Sequence, residues 1–194
     1  MHWNVLFKIA AICTFLILLA SCQSEYDKVV KQELSTGVIH TDLIFDLEMG
    51  MTKKDYFASC WKLNSEKKVN QGPTNQFVQY NMPPGEIKGE EEVIIMLFYG
   101  IFDDEDIMRG LNCRFNYSSW APWNDLQSGK LVETLKSHYM EKYDGNPFIQ
   151  IDLKNTDIKA FVKVDGNRQI LIYPLDAKDV AVKIEDLRYK YDMS

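Results

Sequence analysis

Side chains able to do acid–base, metal or nucleophilic work are few and scattered in this chain. Three histidines occur, His2, His40 and His138. None belongs to an HExxH pair, which would set two imidazoles and a base on one helical face. No GxSxG elbow, Walker-type phosphate loop or Rossmann glycine set is present. His40 and His138 are therefore expected at the surface without a catalytic role. FDDEDIM (residues 102–108), with Glu90, Glu91 and Glu92 upstream, holds enough carboxylates for calcium. It lacks the alternating acidic positions and turn glycine of an EF-hand loop, so a solvated strand connection is expected. No metal and no cofactor are expected. In SSWAPW, Trp120 and Trp123 leave two readings open: stacking on a sugar ring or small ligand, or packing a joint between substructures beside Pro122. Together these features point away from an enzyme, although a fold can assemble sites that no motif announces.

Cys22 stands in a different setting. Met1 to Lys8 carries one positive charge, and Ile9 to Ala20 is uncharged and mostly apolar. A helix of that apolar length spans about 18 Å, short of a hydrocarbon core of ~30 Å. A charged start, a short apolar centre and small residues at its end describe a secretory signal peptide. Leu19-Ala20-Ser21-Cys22 resembles the bacterial lipobox. The resemblance implies cleavage before Cys22, a diacylglyceryl group on its sulfur and acylation of the new amino terminus. Each buried methylene adds about 0.8 kcal/mol, so two or three acyl chains hold a protein on a membrane where one does not. Gln23 is not the aspartate that retains many proteobacterial lipoproteins at the inner membrane. CQSEYD is similar to the short acidic export tags of Bacteroidota surface lipoproteins. The expected location is the cell envelope, on the outer membrane of a Gram-negative bacterium, with periplasmic and surface facing both open.

The net charge of −6 comes without a basic stripe. That argues against a nucleic-acid partner and against charge-driven docking on anionic lipid. The expected contacts are the membrane, through the lipid on Cys22, and another envelope protein. Once Cys13 leaves with the leader and Cys22 takes lipid, Cys60 and Cys113 remain where disulfides are permitted. No CxxC pair supports zinc or thioredoxin-like chemistry. Cys60 and Cys113 are a candidate disulfide, with two buried apolar thiols as the alternative.

The elements needed to position these groups follow from periodicity. Residues 1–21 read as the leader, 22–48 as a lipidated tether and entry strand, and 49–194 as an α+β domain. The entry strand rests on the alternation of Leu43, Phe45 and Leu47. Within the domain, two successive helix-plus-antiparallel-strand units, 49–118 and 128–187, are expected to form two layers. In the first unit Thr52 can cap a helix with Asp55 three residues on. Tyr56, Phe57, Cys60 and Trp61 then form one stripe expected to be buried. Strands follow at Val78 to Met82, Val93 to Phe102 and Leu111 to Tyr117. The second has no polar face, so cover is expected on both sides, from the first helix and from Leu43 to Leu47 or the second unit. In the second unit Ser128 can cap a helix running to Gly145, with strands at Ile149 to Leu153, Ile158 to Val164, Arg168 to Tyr173 and Val180 to Ile184.

The hairpin FVKVDGNRQILIY has one register that keeps a single buried face. A three-residue turn, Asp165 to Asn167, pairs Val162 with Ile170 and Ala160 with Ile172. Phe161, Leu171 and Tyr173 then share the outward face as a candidate interaction patch, with cover by a loop or the C-terminal RYKYDMS tail as the alternative.

GMTKKDYF, followed by QGPTNQFVQY, resembles the SmpA/OmlA (BamE-like) envelope lipoproteins over residues 49–81. The tandem helix-plus-sheet plan is similar to the β-lactamase-inhibitor-like fold, and the whole chain resembles uncharacterised Bacteroidota lipoproteins. The resemblance implies a small, non-enzymatic envelope lipoprotein that binds or assembles other proteins. A glycan or small-ligand module built on Trp120 and Trp123 is the alternative.

Overall fold

A computed structural model describes residues 24–153 and 156–191. The expected leader and Cys22 lie outside the described residues. The chain forms helices α1 (Glu25–Ser35), α2 (Lys53–Ser65), α3 (Ser128–Lys142) and α4 (Leu187–Lys190). The strands are β1 (Asn70–Gln71), β2 (Val78–Met82), β3 (Ile94–Phe102), β4 (Met108–Tyr117), β5 (Ile149–Asp152), β6 (Lys159–Asp165), β7 (Arg168–Pro174) and β8 (Val180–Asp186). A 3₁₀ turn, Pro73–Asn75, links β1 to β2.

All eight strands join one antiparallel sheet in the order β1-β2-β3-β4-β8-β7-β6-β5. This overturns the expected two-layer pair of helix-plus-strand units. Each half makes a meander, but the meanders do not close as separate units. Their last strands pair directly, Cys113 opposite Val182 and Leu111 opposite Ile184. The sheet is therefore continuous, and the four short helices only cover parts of it. Periodicity locates strands but does not say which edges meet, and that choice made the difference here.

One row shows how the main core is assembled. Phe98, Cys113, Val182, Ile172 and Phe161 are successive neighbours across β3, β4, β8, β7 and β6. Helices α2 and α3 lie over this face. From α2 come Tyr56, Cys60 and Leu63, and from α3 Leu131, Val132, Leu135 and Tyr139. These positions recur at helical spacing, which turns one stripe of each helix inward. The Thr52 hydroxyl starts α2 by accepting the Asp55 N–H at 3.2 Å. For α3 the cap is Gln127, without a side-chain bond, and Ser128 is the first helical residue.

Where the sequence suggests a polar tether, the chain forms α1. Ser24 and Asp27 close a capping box at its start, in which their side chains accept from two otherwise unpaired N–H groups. Val30 is buried against Val162, Val164 and Leu187, with Leu171, Ile149 and Ile151 around them. This second core lies on the opposite face of the sheet, because Val162 pairs with Leu171 and both alternate with the Phe161 and Ile172 row. The Leu43–Leu47 segment is a turn rather than a strand. Leu43 N–H donates to the Leu47 carbonyl at 3.0 Å, and Phe45 and Asp46 have positive φ. It covers the same face as α2, since the Phe45 ring lies 5.9 Å from that of Phe98. The far side of β3 carries Leu97 and Tyr99, opposite Arg114 and Asn112, and Tyr99 is exposed there.

The β6–β7 register also differs from the expected one. Asp165 pairs with Arg168 around a two-residue loop, Gly166-Asn167. Gly166 has φ +53, as the first position of a II′ hairpin loop requires. The expected register assumed one buried face. With α1 on one side and α3 on the other, apolar residues serve both faces and the single-face argument loses its force. The N-terminal segment holds the observed loop: Glu33 accepts the Gly166 N–H at 2.9 Å, and the Asn167 side chain accepts the His40 N–H at 2.6 Å.

Candidate functional site

The stripe Tyr56, Phe57, Cys60 and Trp61 divides in two. Tyr56 and Cys60 are buried, whereas Phe57 is 57% and Trp61 76% exposed. The reason is angular. Tyr56, Cys60 and Leu63 follow one column of the helix, and Phe57, Trp61 and Asn64 follow the next, about 100° round. The first column ends in leucine and the second in asparagine, a sequence signal that the second leaves the core.

Phe57 and Trp61 form one wall of a groove of about 330 Å³ between α2 and the β1–β2 edge. The opposite wall carries Asn70, Gln76, Phe77 and Val78. A second hollow, about 430 Å³, continues past Phe77 to Tyr99, Gly100 and Phe102. Ring contacts stiffen this surface. Tyr56 meets Phe57 and Phe102 at 5.4 Å each, and Phe77 meets Tyr99 edge-on at 5.1 Å. Such pairs contribute roughly 0.5–1.5 kcal/mol beyond burial. Two glycines permit the shape. A Cβ on Gly100 would lie 2.6 Å from the Phe102 ring, and one on Gly72 would lie 2.9 Å from the Phe77 Cβ. The Gly72 N–H donates to the Phe77 carbonyl at 2.8 Å and closes the turn that presents Phe77.

The groove floor is chemically quiet. Burial pushes the Cys60 thiol up, with a partly opposing hydrogen bond from Tyr56. Burial, and then Cys60, push the Tyr56 phenol up as well. Both shifts favour the protonated forms, which are the weaker nucleophile and base. Among the described residues, no three His, Cys, Asp or Glu side chains are placed to hold a metal ion.

A smaller hollow of about 110 Å³ lies under α3, rimmed by Tyr80, Glu86, His138 and Lys142 above Met82, Met96 and Phe115. Burial, and then Lys142, lower the His138 imidazole from its ordinary value, while burial lowers Lys142. The Tyr80 hydroxyl donates to Glu86. The space these groups enclose is too small for most substrates.

The remaining sequence-predicted residues disperse. Phe161 faces α3, under the Lys136 ammonium 3.8 Å from its ring centre. Leu171 packs beneath α1, on the other face. Tyr173, two residues on, shares the Leu171 side, so the three make no common patch. The one-residue change of register is the cause. Trp120 packs against the core with its indole N–H donating to Gln127 at 3.4 Å. Trp123 is 87% exposed. Cys60 and Cys113 are both buried free thiols rather than a bridge. In the acidic stretch, Asp103 accepts the N–H groups of Glu105 and Ile107 and pairs with Arg109 at 2.7 Å, shaping the β3–β4 turn. His40 is half-buried and is held through its backbone by Asn167.

Comparison with known proteins yields no matching family model, no matching curated protein and no matching solved structure.

Proposed function

We propose that this chain is a lipid-anchored cell-envelope protein, tethered through Cys22, that works as a non-enzymatic binding module. The groove beside α2 is its contact surface and receives another component of the envelope. One observation carries the reading: Phe57 and Trp61 stand largely in solvent on a helix whose neighbouring column is fully packed. A folded domain gains nothing from exposing two large aromatic side chains one turn apart, whereas exposed aromatics rimmed by polar groups mark interaction sites. The groove takes the role that the sequence placed on Phe161, Leu171 and Tyr173, and it replaces Trp120 and Trp123 as the aromatic surface. A lipidated terminus suits this use, since it concentrates a weak binder at the membrane where its target lies.

In-cell photocrosslinking tests the reading. A benzophenone side chain at position 61 of the tethered protein inserts into C–H bonds of any bound protein or glycan. The same group at Glu141, on the exposed side of α3, is the control. Capture at position 61 and not at 141 is expected. Equal capture at both, or none at 61, rejects the groove as the contact surface.

A further inference from the structure

We infer that the groove beside α2 binds a neutral saccharide chain, an assignment that rests on the groove being the contact surface. The aromatic wall comes first. Phe57 and Trp61 are four residues apart on α2, about 6 Å along the axis, a separation on the scale of one sugar unit. Both expose ring surface, and the C–H faces of a pyranose stack on such rings while its hydroxyls point sideways.

Carboxamides share the groove with these rings. Asn64, Asn70 and Gln76 line the same groove. Each amide offers donors and an acceptor together, as each sugar hydroxyl does. Their side chains make no hydrogen bond to another side chain or backbone group among the described residues. Charge narrows the class further. Among the described residues that line the groove none is ionised, in a chain of net charge −6. An acidic polymer would find repulsion overall and no cation in the groove.

Two polypeptide occupants fit less well. Strand addition needs a free edge, but β1 already pairs with β2 at Val78 and Gln79. The outer edge of β1 offers only two residues, too short to seat an added strand. An apolar helix would press hydrocarbon onto Asn64, Asn70 and Gln76 and leave their amides unpaired, at roughly 1–3 kcal/mol each.

The test uses the full chain in detergent micelles. Soluble neutral oligosaccharides of glucan, mannan and xylan are titrated beside anionic alginate and heparin fragments, with calorimetry and tryptophan fluorescence as readouts. Binding of at least one neutral oligosaccharide is expected. Trp61→Ala should weaken it about tenfold or more, the scale of one stacking contact. Asn64→Leu should also weaken it, whereas Trp123→Ala should leave it unchanged. Melting temperatures of the Trp61→Ala and Asn64→Leu proteins should match the parent, since both side chains are exposed. Tighter binding of the anionic fragments, or parental affinity in Trp61→Ala, overturns the assignment. If no saccharide binds while position 61 still captures a protein in cells, the saccharide class is overturned and the groove stands as a contact surface. If neither happens, both fall.

Discussion

Replacing Lys163 with methionine asks whether the interior of the sheet depends on a single ion pair. Lys163 is completely buried, and its Nζ lies 2.8 Å from Asp165 Oδ2. The same ammonium donates to the Asn146 carbonyl at 2.6 Å. Asp165, 7% exposed at the side chain, also accepts the Asn146 N–H at 2.7 Å through Oδ1. This carboxylate sits so near the backbone of Gly145 that a Cβ there would lie 2.2 Å from Oδ1. Methionine keeps much of the apolar stem and removes the charge. The Asp165 carboxylate is then left with one amide donor in a poorly polarisable interior.

Breaking a buried pair in this way costs about 3–5 kcal/mol. With a urea slope near 2 kcal/mol/M, the unfolding midpoint should fall by about 1.5–2.5 M. The same loss corresponds to about 6–20 °C in melting temperature for a domain of this size. Adding Asp165→Asn to Lys163→Met removes the stranded charge and should recover about 2 kcal/mol or more. Urea unfolding of the parent, the two single variants and the double variant, followed by circular dichroism, measures the coupling. A midpoint drop below about 0.5 M for Lys163→Met, or a double variant no better than the single, refutes the pair as a coupled buried unit.

Glycine substitutions should act with opposite sign at two sites. Gly166→Ala places a Cβ 2.4 Å from the Val38 carbonyl at φ +53, whereas Gly129→Ala, in the first turn of α3, meets nothing within 4 Å. Thermal melts should show the first losing about 1–3 kcal/mol and the second gaining up to about 1; a neutral Gly166→Ala would mean that the loop and the 33–42 segment are not in contact. Asp186 should make stability fall in acid. Burial opposes its charge, but hydrogen bonds from Arg188 and Asn167 outweigh that and lower its pKa below 3.8. Its contribution is thus present above the unfolded value and disappears as pH falls through the folded one. Asp186→Asn should cost about 1–3 kcal/mol at pH 7 and progressively less below about pH 4, and a gap independent of pH between denaturation curves would rule out the charged form as the source.

Helices α2 and α3 and most strands were visible in the sequence because each carries apolar residues at helical or strand spacing. Thr52 with Asp55 marks the start of α2, and Tyr56, Cys60 and Leu63 mark its inner side. Sheet order was not visible, because pairing of β4 with β8 depends on contacts far apart in the chain. Helix α1 was hidden for another reason. Its only buried residue is Val30, so its periodicity is faint, and the polar composition that suggested a tether is that of a helix touching the sheet along a narrow line. Missing α1 had a further cost. Without it the face of β6 and β7 that carries Val162 and Leu171 has no cover, and a register that puts both valines inward with Ile170 and Ile172 looks compulsory.

The same reasoning explains why the groove escaped notice. Hydrophobic pattern assigns aromatic residues to the core by default, and four of them within one helix read as a single stripe. A helix lying on a sheet can bury only about a third of its circumference. Two adjacent columns, Tyr56 with Cys60 and Phe57 with Trp61, exceed that arc. One of them had to face outward, and the column that ends in Asn64 rather than Leu63 is the one that does. An excess of aromatic residues over what a helix can bury is thus a sequence signal for an exposed aromatic face. Here it falls beside the two-residue edge strand β1, with the Gly72–Phe77 turn presenting a third ring across from it.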